Sequence, residues 1–90
     1  MKYEFRWNPW NVEHIAQHGI SPEEAERVVR YARRPFPEAR DDRKFLVMGQ
    51  TAAGRFIQVI FIFSPVDVIY VIHARPLNDA EKRRYRRRIR

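Results

Sequence analysis

Hydrophobic positions in the first third of the chain recur with a helical period. Between Ala25 and Ala32 the apolar residues fall at i, i+3, i+4 and i+7, which predicts a helix with one face on a core and the other in water. Ser21 and Glu24 have the spacing of a capping box at its start. The helix is expected to end near Arg33 or Arg34, because a proline follows.

The segment before this helix shows a shorter version of the same signals. Tyr3–Trp7 alternates enough to predict a short strand, and Asn8 followed by proline has the form of an N-cap. An apolar stripe then predicts a helix over Pro9–His18, with Gly19 in the usual position after a helix end.

The second half of the chain has hydrophobic runs separated by turn residues, which is typical of strands with short connections. Arg33–Arg43 has two prolines and no period, so it is predicted to be a loop. The remaining elements are strands at Lys44–Gly49, Arg55–Phe63 and Val68–Arg75, turns at Gln50–Gly54 and Ser64–Asp67, and a helix at Asn78–Arg90.

The predicted order is therefore β-α-α-β-β-β-α in one domain over residues 1–90. Short connections between the later strands imply an antiparallel sheet with helices packed on it, an α+β fold. Simple alternation in the last strand predicts two faces, one with Ile69, Val71, His73 and Arg75 and the other with Val68, Tyr70, Ile72 and Ala74.

Composition narrows the possible functions. The chain has no cysteine, which excludes disulfides and thiolate metal sites, and no apolar stretch long enough to cross a membrane. We expect a cytoplasmic protein that does not span a membrane and needs no cofactor. The formal net charge is +7, and the last twelve residues contribute +5 of it, from seven cations and two acids. Such a local surplus indicates a docking surface for a polyanion, with RNA or DNA phosphates as first candidate and an acidic protein or an anionic membrane surface as alternatives.

Four residues near the end of the last strand form the candidate catalytic set. His73 and Arg75 lie on one strand face, and Glu81 and Tyr85 are four apart on the following helix. RNA cleavage needs orientation, charge stabilisation and proton transfer, and these side chains supply all three. The residues expected to bind RNA around them are Lys44, Arg55, Arg83, Arg84, Arg87 and Arg88.

Each of these residues also has a structural interpretation. Glu81 is placed to cap a helix, Tyr85 to pack as an aromatic residue, and a histidine at a strand end to bond a carbonyl group. His14 and His18 are spaced to chelate a metal, but the HExxH order is absent and a structural or substrate-contacting role is expected instead, with no metal site. Trp7 and Trp10 are expected to pack against the first helix; base stacking is the alternative.

Three segments together resemble the BrnT family of toxins from bacterial type II toxin–antitoxin pairs. They are FRWNPWNVEHIAQHGISPEEAERVV, KFLVMGQTAAGRFIQVIFIF and VIYVIHARPLNDAEKRRYRR. The likeness covers most of the chain except the Arg33–Arg43 loop. Asn8, Asn11 and Gln17 depart from the family pattern, which is typical of a divergent branch.

The resemblance implies a RelE-like fold, metal-independent cleavage of RNA, and neutralisation by a BrnA-like antitoxin in a heterotetramer. Carried over by position, Arg55, Arg75, Glu81 and Tyr85 would line the RNA site. The alternative is a non-catalytic module that binds nucleic acid or an antitoxin segment through the basic C-terminal helix.

Overall fold

The computed structural model describes residues 3–64 and 67–89 as an α+β domain with three helices and a mixed five-stranded sheet. Among these residues no helix is long and apolar enough to cross a membrane. The elements in chain order are β1 (Glu4–Arg6), α1 (Pro9–Ala16), α2 (Pro22–Arg30), β2 (Glu38–Ala39), a 3₁₀ turn (Asp41–Arg43), β3 (Phe45–Gln50), β4 (Phe56–Phe63), β5 (Val68–Pro76) and α3 (Asp79–Arg88).

All three helices begin with a reciprocal capping box. The box of α1 pairs Asn8 with Asn11, and those of α2 and α3 are the predicted pairs that begin at Ser21 and Asn78. At the end of α1, Gly19 adopts φ 72° and the Ile20 N–H donates to the Ile15 carbonyl, which closes the helix two residues earlier than predicted. Helix α2 also ends early, at Arg30.

The strand order is β1-β5-β4-β3-β2, and it differs from the prediction in two ways. The sheet is not wholly antiparallel, because β1 pairs in parallel with β5. The segment predicted as a loop contains β2, which forms only two residue pairs with β3. A two-residue strand is too short to show an alternating pattern in the sequence. Its pairing is decided by β3 rather than by its own residues. Parts of two predicted elements, the turn at Pro65 and Val66 and the helix end at Arg90, lie outside the described residues.

Buried residues lie on both faces of the sheet, and the face that carries Val47 holds most of them. Helix α2 packs on this face so closely that a Cβ on Gly49 would lie 3.1 Å from Val28 Cγ1. Helix α1 lies against β5 and contributes Ile15, which is fully buried. The strand residues of the core include Val47, Ile57, Val59, Phe61, Ile69, Val71 and Ala74.

The last strand does not alternate as predicted, because it contains a β-bulge. Ile60 pairs with His73 and Phe61 with Val71, so Ile72 has no partner on β4. Val71 and Ala74 are consequently both buried on one face. The predicted faces were wrong from His73 onward, because Ala74 shares the face of Val71 whereas His73 and Arg75 do not. His73 and Arg75 lie opposite Ile60 and Gln58, on the sheet face that also carries the buried residues Leu46 and Met48.

Candidate functional site

The bulge brings His73 into contact with two histidines from α1 and the turn after it. The ring centroid of His73 lies 5.5 Å from that of His14 and 5.4 Å from that of His18. We call His14, His18 and His73 the histidine cluster. His14 and His18 are exposed and His73 is half-buried, so the cluster extends from β5 to the protein surface.

The environment of His73 favours its neutral form. Burial lowers the pKa of His73, and the positive charges of His14, His18 and Arg75 lower it further. The Nδ1 atom of His73 is buried and has no hydrogen-bond partner among the described residues. A neutral imidazole at pH 7 can accept a proton, which is the property that a general base requires.

Arg75 is held in a fixed orientation beside the histidine cluster. Its Nη1 atom donates to Glu81 Oε1 at 2.9 Å and to the Pro76 carbonyl at 3.0 Å. Its Nη2 atom donates to Glu81 Oε2 at 2.6 Å and to Gln58 Oε1 at 3.4 Å. We call Arg75, Glu81 and Gln58 the Arg75 network. The bidentate pair confirms that strand β5 and helix α3 meet here, and it raises the pKa of Arg75.

Glu81 has two roles in this network and is ionised. The hydrogen bonds from Arg75 and then from the Asn78 N–H lower the pKa of Glu81 to about 2. The same carboxylate completes the capping box of α3 through Asn78. Glu81 is therefore a poor proton donor at neutral pH, and its evident effect is to orient Arg75.

We expect the Arg75–Glu81 pair to make stability pH-dependent in acid. Because the folded pKa of Glu81 lies below the ordinary 4.5, this contribution is present above about pH 5 and is lost as the pH falls toward 2. Glu81→Gln, which retains the cap, should lower the free energy of unfolding at pH 7 by about 1–2 kcal/mol after allowance for solvent screening of Arg75.

Urea unfolding of the parent and Glu81→Gln at pH 7, 4 and 2.5 measures this effect. The two proteins should converge in stability at the lowest pH. Glu13→Gln, an exposed position on α1, is the matched control and should track the parent. A stability difference between parent and Glu81→Gln that stays constant with pH would contradict the assignment.

Tyr85 does not share the surroundings of the other three predicted catalytic residues. Only 6% of it is exposed, and its ring lies 6.0 Å from those of Phe36 and Phe56. It lines a cavity of about 290 Å³ together with residues of α2, β3 and α3. His73, Arg75 and Glu81 are not among the lining residues, so the evident role of Tyr85 is to anchor α3 on the core.

The predicted RNA-binding cations differ in where they lie relative to the histidine cluster and in whether they already bond other residues. Lys44 lines an open cavity of about 570 Å³. Ile60, the cross-strand neighbour of His73, lines the same cavity. Arg55 donates to the Gly19 carbonyl at 2.9 Å, which places it against the turn that follows His18. Arg55 therefore lies beside the turn that carries His18, and Lys44 shares a cavity with the cross-strand neighbour of His73.

The arginines of α3 divide into paired and unpaired side chains. Arg88 forms an ion pair with Glu38 and stacks on Phe36, and this pair lowers the pKa of Glu38. Over residues 3–64 and 67–89, no carboxylate lies within 4.0 Å of the exposed cations Arg83, Arg84 and Arg87. Of the four arginines of α3 that are predicted to bind RNA, Arg88 is thus the one already held in an ion pair.

Sequence reasoning placed His73 in the site but did not connect it with His14 and His18. The i, i+4 spacing of these two was visible, but their approach to His73 depends on the bulge and on how α1 lies along β5. The described residues contain no group of three or more His, Cys, Asp or Glu side chains arranged to hold a metal ion. Trp10 was also misplaced: Trp7 packs and donates to Glu26 at 2.7 Å, whereas Trp10 is 82% exposed.

The chain has no significant match among protein-family models, curated proteins or solved structures.

Proposed function

We propose that this chain is a metal-independent endoribonuclease and the toxin member of a type II toxin–antitoxin pair. The observation that carries the proposal is the histidine cluster next to a fixed guanidinium. The rings of His14 and His18 lie 5.4–5.5 Å from that of His73, and Arg75 lies two residues after His73 on the same sheet face.

RNA supplies its own nucleophile, the 2′-hydroxyl. In the proposed reaction, neutral His73 takes the 2′-hydroxyl proton as the O2′–P bond forms. The P–O5′ bond breaks, and a protonated imidazole, His14 or His18, gives its proton to the leaving oxygen. The products are a 2′,3′-cyclic phosphate and a 5′-hydroxyl, and no further reactant is required.

Arg75 is the group that stabilises charge in this scheme. All four N–H groups on its Nη atoms already bond protein acceptors, and the 3.4 Å bond to Gln58 is the longest of them. A phosphate oxygen can therefore take the Nε–H or replace Gln58 without disturbing the Glu81 pair. Such a fixed cation needs no reorientation as charge develops on the phosphate.

The toxin assignment rests on the residue resemblance to BrnT proteins, and the α+β architecture is compatible with it. The proposal includes a RelE-like fold, a cytoplasmic location, and a BrnA-like antitoxin that forms a heterotetramer with the toxin. An adjacent open reading frame for a small DNA-binding protein would support the pairing. Growth arrest on expression, relieved by the product of that frame, is the expected phenotype.

The test is incubation of the purified chain with end-labelled RNA in EDTA. We expect cleavage products that carry a cyclic phosphate, and no cleavage where one 2′-hydroxyl is replaced by hydrogen. An Arg75→Ala preparation made in parallel identifies any contaminating nuclease. Intact RNA from the parent chain under these conditions contradicts the proposal.

A second candidate function is nucleic-acid or antitoxin binding without catalysis. It is favoured by the structural roles of Glu81 and Tyr85, which leave two of the four predicted catalytic residues fully engaged. It predicts salt-sensitive binding with an intact product, and a shallower salt dependence after removal of Arg83, Arg84 and Arg87.

A further inference from the structure

A small cavity adjoins the histidine cluster on the side of α1. It measures about 220 Å³ and is lined by Trp10, Asn11, His14, Tyr70 and Ile72. His14 belongs to both the cavity and the cluster. Ile72 is the bulged residue of β5, so the irregularity that moves His73 also supplies one cavity wall.

Trp10 gives this cavity an unpartnered aromatic surface. It lies one helical turn before His14, so both side chains are on the same face of α1. At 82% exposure it is the most exposed large hydrophobic residue described, so its ring is accessible to a ligand that stacks on it.

The other walls of the cavity are fixed by their own contacts. Arg6 stacks on the Tyr70 ring with its Cζ 4.9 Å from the centroid, and the Tyr70 hydroxyl donates to Asn8 Oδ1 at 3.4 Å. The Asn11 side chain accepts from the Asn8 N–H and donates to the Arg6 carbonyl. The polar groups of Asn11 are thus occupied, and among the lining side chains the His14 imidazole and the exposed Trp10 indole N–H can make new hydrogen bonds.

We propose that this cavity is a base-binding subsite for single-stranded RNA, in which an unpaired base stacks on Trp10. The inference rests on the proposed function, because it places that base one helical turn from His14, a member of the proposed catalytic histidine cluster. Unpaired RNA bases stack on exposed aromatic side chains beside cations, and every base offers a π-face. The net charge of +7, and Arg6, which stacks on the lining residue Tyr70, favour a nucleic acid over an acid-poor protein segment.

The subsite should accept any base with little preference. Base identity is read by hydrogen bonds to base edges, and the lining offers few free donors or acceptors. Double-stranded RNA should bind weakly here, because its bases are already stacked and cannot reach Trp10.

The test uses a short single-stranded oligonucleotide with 2′-O-methyl sugars, which cannot be cleaved. We expect quenching of tryptophan fluorescence on binding, and an affinity loss of roughly tenfold or more in Trp10→Ala. Trp10→Phe should retain most of the affinity. Tyr31→Ala, a second exposed aromatic at 69% exposure on the α2 side, is the matched control and should bind like the parent.

An abasic oligonucleotide of the same length supplies the decisive comparison. Equal affinity for the abasic and base-containing strands, or parent-like affinity in Trp10→Ala, would overturn the subsite. A change in self-association in Trp10→Ala, with unaltered oligonucleotide affinity, would overturn it in favour of a protein contact. Base-dependent quenching without cleavage of ordinary RNA would keep the subsite and refute the nuclease, so the two failures are distinguishable.

Discussion

Replacing Arg75 by alanine is expected to lower kcat/KM for RNA cleavage by about 10²–10³-fold. Arg75 is the guanidinium on the sheet face of His73, and its bonds to Glu81, Gln58 and Pro76 fix its direction. A preorganised cation of this kind stabilises charge that develops on the phosphate in the transition state. Removal of a single oriented hydrogen-bond donor from comparable sites lowers the catalytic rate by a similar factor.

The Arg75 experiment needs a control for folding, because alanine leaves the Glu81 carboxylate without its partner. The double variant Arg75→Ala/Glu81→Gln removes both charges and should recover stability while remaining inactive. Arg27→Ala removes one cation from α2, where Arg27 stacks on Tyr31, and should cleave like the parent. Full activity in the double variant would remove Arg75 from the site.

Features decided by nearby residues were predictable from the sequence. The capping boxes at Ser21 and Asn78, the amphipathic period of α2 and the three long strands depend on side chains within a few positions of one another. Arg75 and Glu81 also belong to this group. Only two residues separate the end of β5 from the start of α3, so the two elements have little freedom to move apart. Arg75 Nη2 and Glu81 Oε2 lie 2.6 Å apart.

Features decided by distant partners were not predictable in this way. The parallel pairing of β1 depends on β5, more than sixty positions later in the chain. The bulge at Ile72 depends on the register between β4 and β5, and it reverses the alternation on which the face prediction relied. The position of the histidine cluster depends on both features, because α1 follows β1 and His73 follows the bulge.

His73 carries the second large prediction. His73→Ala is expected to lower cleavage by about 10²–10⁴-fold, the usual contribution of a positioned general base. Because burial and then His14, His18 and Arg75 lower the pKa of His73, the parent rate should begin to fall only at pH values below the ordinary 6.5. That acidic limb should be absent from the residual activity of His73→Ala, and added imidazole should partly restore the rate.

The partner of His73 can be identified with a substrate whose leaving oxygen is replaced by sulfur. A thiolate leaves without a proton, so a residue that acts only as the general acid loses its importance with this substrate. The defect of either His14→Ala or His18→Ala should therefore disappear, whereas that of His73→Ala should persist because the 2′-hydroxyl still has to lose its proton. Disappearance of the His73→Ala defect would instead make His73 the acid, and an unchanged acidic limb in that variant would place the base outside the histidine cluster.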